Sequence, residues 1–253
     1  TGKIPIPKNI LKNKIKTIDG LICFPYDKID NKMIDLSTNL KVISTFSVGF
    51  DHIDINHAKK KKIRVGYTPK VLTDATADLA FALMIDLARR VSEGDRIIRN
   101  GKWRQIYGAH DYVGVDLQGK TLGILGMGRI GSTLAKRAKA FDMKIIYHNR
   151  SHVSKSREKL LGVKYVSLDK LITQSDVISI HVPHTPKTDQ MFNSKIFKKM
   201  KNSSFLINTA RGKIVNEKDL GSALKKKIIA GAGLDVFESE PIGIIIHLQR
   251  SQT

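Results

Sequence analysis

The chain has 253 residues, 41% of them hydrophobic, with 44 basic against 23 acidic side chains for a formal charge of +21 at pH 7. That length supports one large domain or two smaller ones with a proper core, and no run of about 18 apolar residues is present to cross a membrane. The single cysteine, Cys23, excludes an internal disulfide framework and suits a reducing cytoplasm, while lysines scattered without an aromatic-interleaved stripe predict a solvated surface rather than a nucleic-acid interface.

The chain starts at Thr1 rather than Met, so its natural beginning is expected upstream, and no secretory leader is expected. Residues 19–24 and 40–45 read as short strands, with helices over 30–36 and 54–61 and a third strand at 63–65. This β/α alternation predicts a parallel sheet. A break at 66–69 precedes a long helix, capped at Thr73 or Asp74 and running to about residue 99. Its inward face is predicted to carry Leu79, Ala80, Leu83, Met84 and Leu87, and Asn100-Gly101 closes it. An aromatic and polar loop follows over 103–112. Strands are then predicted at 120–125, 144–148, 164–166, 177–182, 204–208 and 231–236, with helices such as 132–141, 194–200 and 217–226 between most of them.

The most informative stretch is Gly126-Met127-Gly128-Arg129-Ile130-Gly131, between an apolar strand and a helix. Gly126 permits a tight turn, Gly128 lets backbone approach a pyrophosphate, and Gly131 lets the helix pack closely on the strand. The pyrophosphate then sits at the helix N-terminus, where free N–H groups and the dipole favour negative charge. The expectation is an α/β protein in two parts. Residues 70–241 form a doubly wound, Rossmann-type dinucleotide-binding domain. Residues 1–69 form a smaller, incomplete, flavodoxin-like α/β unit, and 242–253 are an atypical tail.

After the second strand of such a domain an acidic residue normally accepts from the ribose hydroxyls and repels a 2′-phosphate. Here Asn149-Arg150-Ser151 follows instead. Asn149 removes the negative charge, Arg150 offers a guanidinium fork and Ser151 a hydroxyl, so NADP(H) is favoured, with NAD(H) as the alternative.

Several motifs in order resemble the D-isomer-specific 2-hydroxyacid dehydrogenases, most closely their glyoxylate/hydroxypyruvate reductase branch. They are Ser47-Val48-Gly49-Phe50-Asp51-His52-Ile53-Asp54, residues 68–78 (TPKVLTDATAD), the glycine turn, His181-Val182-Pro183, Asn208-Thr209-Ala210-Arg211-Gly212 and residues 233–241 (GLDVFESEP). The resemblance implies hydride transfer between a nicotinamide and the carbonyl carbon of a 2-keto acid. By it, backbone N–H groups around Val48 and Gly49 hold the substrate carboxylate, Leu72 lines the substrate pocket, and Arg211 anchors the carboxylate and polarises the carbonyl. Thr76, Arg129, Ile130, Val182, Pro183, Thr188, Thr209 and Ala210 fall at the cofactor, and Asp235 orients the carboxamide. Glu240 matches the acid that pairs with the catalytic histidine and raises its pKa. Closure between the two domains is implied to exclude water. His52 is expected to support the carboxylate loop, His184 to flank the cofactor, and Trp103 to pack. A homodimer through residues 74–115 of the nucleotide domain is expected; no metal, nucleic acid or membrane partner is.

One departure matters. The family's catalytic histidine stands in a Pro-His-Ile-Gly-type segment beyond the Glu-Pro pair, and the sequence contains no such segment; His247 has the wrong neighbours and spacing. The expectation is a chain shortened at both ends that binds NADPH with little turnover. The alternatives are a phosphoglycerate- or D-lactate-type dehydrogenase, a dinucleotide-sensing corepressor of the same fold, or an inactive product.

Overall fold

Strand-forming and helix-forming stretches alternate along the whole chain, and the computed structural model, which describes residues 6–242, divides them after Leu72 into two units.

The smaller unit runs α1 (Lys8–Lys14), β1 (Gly20–Cys23), α2 (Asn31–Asp35), β2 (Val42–Thr45), α3 (Ile55–Lys60) and β3 (Arg64–Gly66). Its three strands pair in parallel in the order β1-β2-β3, with Ile22 opposite Ser44 and Ser44 opposite Gly66. The helices α2 and α3 start where the sequence offers a carboxylate cap. Asp30 accepts from the Met33 N–H at 3.0 Å and Asp54 from the His57 N–H at 2.9 Å, satisfying amides that a first turn leaves unpaired. Ile15, Cys23, Ile29, Ile34, Ile43 and Ala58 fill a core of this unit's own.

The larger unit begins with α4 (Thr73–Arg89) and α5 (Val91–Arg99). It continues through β4 (Thr121–Leu125), α6 (Arg129–Lys139), β5 (Lys144–His148), α7 (Lys155–Leu161), β6 (Val163–Tyr165), α8 (Leu168–Gln174) and β7 (Val177–Ile180). Then come α9 (Ser194–Phe197), β8 (Phe205–Asn208), a 3-10 turn (Gly212–Ile214), α10 (Glu217–Lys225) and β9 (Gly231–Leu234). Six parallel strands take the order β6-β5-β4-β7-β8-β9. Every residue of β7 and β8 is buried, as a parallel sheet with both faces covered requires. The connection reverses direction between β4 and β7, which is where doubly wound sheets open a crevice at their C-terminal strand ends.

Two expectations for residues 73–99 are corrected. The single long helix is two, because Arg90 adopts a left-handed conformation (φ 57°, ψ 36°). The Tyr112 hydroxyl donates to the Arg90 carbonyl, the guanidinium lies 4.2 Å from the Tyr112 ring centroid, and Arg90 Nε and Nη2 reach Glu93 at 2.8 and 2.6 Å. Leu79, expected inward, is 38% exposed. The buried stripe is Ala77, Ala80, Phe81, Met84 and Ala88, a helical spacing rotated from the expected face so that Phe81 turns in and Leu79 turns out. The Asn100-Gly101 close is present, with Gly101 at φ 61° and Lys102 N–H returning to the Ile97 carbonyl at 2.9 Å.

Candidate functional site

The three glycines after β4 meet three different constraints. Gly126 has φ 103°, and a Cβ there would lie 2.5 Å from the His181 carbonyl oxygen. A Cβ on Gly131 would lie 2.2 Å from the Gly126 carbonyl oxygen and 3.0 Å from Ile124, so α6 is seated directly on its own strand. A Cβ on Gly128 would meet nothing within 4 Å. Gly128 is also the N-cap of α6 and supplies no side chain to its first turn, where Arg129 and Ile130 stand. Open space in front of uncapped amides is the cradle that a dinucleotide pyrophosphate fits.

Neighbouring strands hold the turn in place. Gly126 N–H donates to the His148 carbonyl at 3.0 Å and His181 N–H to the Leu125 carbonyl at 2.7 Å. Met127 N–H donates to Asn149 Oδ1 at 2.7 Å. Because an amide N–H can only donate, this bond fixes which end of the Asn149 amide faces the turn and leaves its Nδ2 hydrogens for other partners. Arg150 and Ser151 follow, both exposed.

At the end of β7, Val182 is half-buried and Pro183 exposed. The Thr188 hydroxyl donates to the Pro183 carbonyl at 2.8 Å and accepts from Thr185 N–H at 2.8 Å, so it knits this loop together. His184 Nε2 lies 2.7 Å from Asp189 Oδ1. His181 turns its ring onto Ser179 Oγ at 2.8 Å, a group only 1% exposed, and burial pushes its pKa down to about 4. Both native and unfolded His181 are neutral above about pH 6.5, so its contribution is complete there. Below that pH the unfolded chain binds a proton that the native ring refuses, and stability falls as pH drops toward 4. Urea unfolding should show a loss between pH 7 and pH 5 about 2 kcal/mol larger than in His181→Gln. Equal losses in the two proteins would contradict the burial argument.

Beyond β8 the chain makes a tight polar corner. Asn208 Nδ2 donates to the Arg211 carbonyl at 2.9 Å, and Ala210 N–H donates to Asn208 Oδ1 at 3.0 Å. Arg211 is half-buried with Nη1 2.7 Å from the Ala210 carbonyl. Thr209 Oγ1 is buried and has no hydrogen-bond partner among the described residues. A buried hydroxyl in that state is suited to a polar ligand. Asp235 N–H donates to the Asn208 carbonyl at 3.0 Å, and desolvation, with the charge of Glu240, raises the Asp235 carboxyl pKa. Glu240 Oε1 accepts from Phe237 N–H at 2.9 Å. Thr76 is half-buried in the first turn of α4.

In the smaller unit, Val48 and Gly49 are half-buried in the loop after β2, and Leu72 is exposed. Ser47 Oγ donates to the Gly49 carbonyl at 2.5 Å, Thr45 Oγ1 lies 2.8 Å from Ser47 Oγ, and His52 Nε2 lies 2.9 Å from Thr45 Oγ1. Each hydroxyl has one proton, and a carbonyl only accepts. The chain therefore runs from His52 Nε2–H through Thr45 and Ser47 to Gly49, and His52 touches the loop through two intermediaries. Sequence reasoning gave Thr45 no role and quoted Ser47 only within a family motif, although hydroxyls at a strand end beside a glycine loop are a signal for such a brace. His247 lies outside the described residues. No helix among the described residues is long and apolar enough to cross a membrane.

Comparison with known proteins places these elements in a wider context. A family model described as the NAD-binding domain of D-isomer-specific 2-hydroxyacid dehydrogenases matches residues 81–247. The chain is 48% identical over 238 residues to a glyoxylate reductase of Thermococcus litoralis, covering 93% of this chain and 72% of that protein. It is 46% identical over 238 residues to a glyoxylate reductase of Korarchaeum cryptofilum, covering 94% and 71%. Among solved structures, the TT0316 protein of Thermus thermophilus superimposes with a TM-score of 0.87 at 42% identity, covering 96% of this chain and 75% of that one.

Proposed function

This chain belongs to the D-isomer-specific 2-hydroxyacid dehydrogenase family, and from that premise we propose that it takes NADPH and a small 2-keto acid such as glyoxylate or hydroxypyruvate. When bound, the nicotinamide supplies the hydride. The protein's part is to bind, orient and stabilise charge.

We assign the pyrophosphate to the first turn of α6, with Gly126, Gly128, Arg129, Ile130 and Gly131. Val182, Pro183, Thr209, Ala210 and Thr76 are assigned to the remainder of the cofactor. Thr188 acts there through the loop it braces, and the raised pKa of Asp235 suits a group that hydrogen-bonds a carboxamide. For the substrate, Arg211 anchors the carboxylate and polarises the carbonyl, while the backbone at Val48 and Gly49 supplies further N–H donors and Leu72 an apolar contact. By the family resemblance Glu240 is assigned as the carboxylate that would raise the pKa of a general-acid histidine, a role that none of the described histidines fills.

The observation that carries the cofactor half is the bond between Met127 N–H and Asn149 Oδ1. It occupies the acceptor and leaves donors, and together with the Arg150 guanidinium and Ser151 hydroxyl this set suits a phosphate dianion. Calorimetric titration should give tighter binding of NADPH than of NADH. Arg150→Ala should cost NADPH about 10- to 100-fold in affinity and leave NADH nearly unchanged. A wild-type preference for NADH overturns the assignment.

We also propose a homodimer through residues 74–115. Helix α5 buries none of its residues, and Val91, Ile98, Trp103 and Ile106 are all more than half exposed. A groove of about 750 Å³ on the same unit is lined by Leu87, Arg90, Val113, Val115, Phe205 and Phe237. Exposed apolar side chains gathered on one segment favour association. Light scattering should report twice the chain's mass, and Ile98→Asp should shift it toward the monomer; a wild-type monomer at micromolar concentration contradicts the proposal.

A further inference from the structure

We propose that Tyr147 and Glu158 are positioning residues for coenzyme specificity. They hold residues 149–153 as a braced loop whose outward side chains, Arg150 and Ser151, grip the 2′-phosphate of NADPH. The inference rests on the NADPH reading above and deepens it.

Tyr147 is the fourth residue of β5 and is fully buried. Its neighbour on the same face of the strand, Ile145, is purely apolar and also buried. A phenylalanine would fill the same volume, so the hydroxyl needs its own explanation. Buried hydroxyls require partners, and this one has two. Tyr147 Oη donates to Glu158 Oε1 at 2.8 Å and accepts from Val153 N–H at 3.0 Å. The first bond reaches α7. The second closes the loop that leaves β5. Glu158 is itself held, since Lys155 Nζ lies 3.1 Å from its second oxygen and its side chain is only 11% exposed. Desolvation and the Glu158 carboxylate both raise the Tyr147 pKa, so the phenol keeps its proton and continues to donate.

The other end of the loop is tied as firmly. Asn149 Oδ1 accepts from Met127 N–H at 2.7 Å, and the Asn149 carbonyl accepts from the Tyr165 hydroxyl at 3.4 Å. The His152 ring stacks on Tyr165 with 3.6 Å between centroids. Positions 149, 152 and 153 are therefore pinned, while Arg150 and Ser151 are exposed with no such tie among the described residues. A loop fixed on both sides of two anion-binding side chains loses little freedom when the anion arrives, and pre-organisation of that kind raises affinity. Removing the Tyr147 hydroxyl deprives Val153 N–H of its acceptor. The loosened loop then weakens the ligand that uses Arg150 and Ser151, and not the ligand lacking the extra phosphate.

The test is calorimetric titration of NADPH and NADH into the wild type, Tyr147→Phe, Glu158→Ala and Glu158→Gln. Tyr147→Phe should weaken NADPH about three- to tenfold and NADH less than about twofold. Glu158→Ala should do the same to a smaller extent. Glu158→Gln, whose amide oxygen still accepts from Tyr147, should restore most of the preference. A wild type that prefers NADPH beside a Tyr147→Phe variant with the same preference overturns the inference alone. A wild type with no preference overturns the NADPH reading and the inference with it. Should Tyr147→Phe fail to fold, the Glu158 pair decides: equal preference in Ala and Gln variants sinks the proposal.

Discussion

Gly131→Ala is expected to weaken NADPH by more than about 100-fold and to lower the stability of the larger unit by about 2–4 kcal/mol. The new methyl would stand 2.2 Å from the Gly126 carbonyl oxygen and 3.0 Å from Ile124. No rotamer change relieves a clash with backbone, so α6 must lift from β4. Leu134, Ala135 and Ala138, all at most 1% exposed, would lose their packing as it does. Gly128→Ala separates binding from folding. Gly128 has φ −76° and open space where a side chain would point, so its stability cost should stay within about 1 kcal/mol. Its affinity should nevertheless drop at least about tenfold, because the methyl occupies the ligand's approach. Urea unfolding beside calorimetric titration checks both. Unaltered binding in Gly128→Ala contradicts the placement of the pyrophosphate.

Slow chemistry on a well-bound coenzyme is the second expected result. A positioned general acid contributes about 10²–10⁴-fold to such a reaction, and the described histidines stand in other settings. His181, with its pKa near 4, is neutral at pH 7. His57 and His184 face Asp35 and Asp189, His52 faces Thr45, and His152 stacks on Tyr165. His148 Nδ1 lies 3.0 Å from the Val166 carbonyl, and His110 sits in the exposed loop after α5. With no general acid among the described histidines, glyoxylate reduction is expected to be slow and to rise with the concentration of added imidazole, which can deliver a proton from solution. Rapid turnover that is indifferent to imidazole contradicts this.

The parallel sheet of the larger unit was legible because β4, β7 and β8 are short apolar runs bounded by turn residues. The glycine turn was legible because its chemistry is local. The helix break was not. It depends on Tyr112, 22 residues downstream, closing on the Arg90 carbonyl, while the apolar spacing runs on through Val91 and Ile98. Its place after the second strand made Asn149, and the family resemblance made Thr188, an expected neighbour of the ligand, but their hydrogen bonds to Met127 and Pro183 are tertiary facts. Tyr147 was hidden for a related reason: an aromatic residue in a strand predicts packing, and nothing in sequence spacing shows that its hydroxyl spans two elements.

On the NADPH reading, the pairing of Met127 with Asn149 makes one atom of that side chain a lever on coenzyme choice, beside Arg150 and Ser151. An aspartate at 149 could still accept from Met127 N–H with one oxygen, and its second oxygen would replace the nitrogen. A donor would become an anion with the backbone undisturbed. Asn149→Asp should thus narrow the preference for the phosphorylated coenzyme without disturbing the turn, which makes this position a convenient starting point for redesigning that preference.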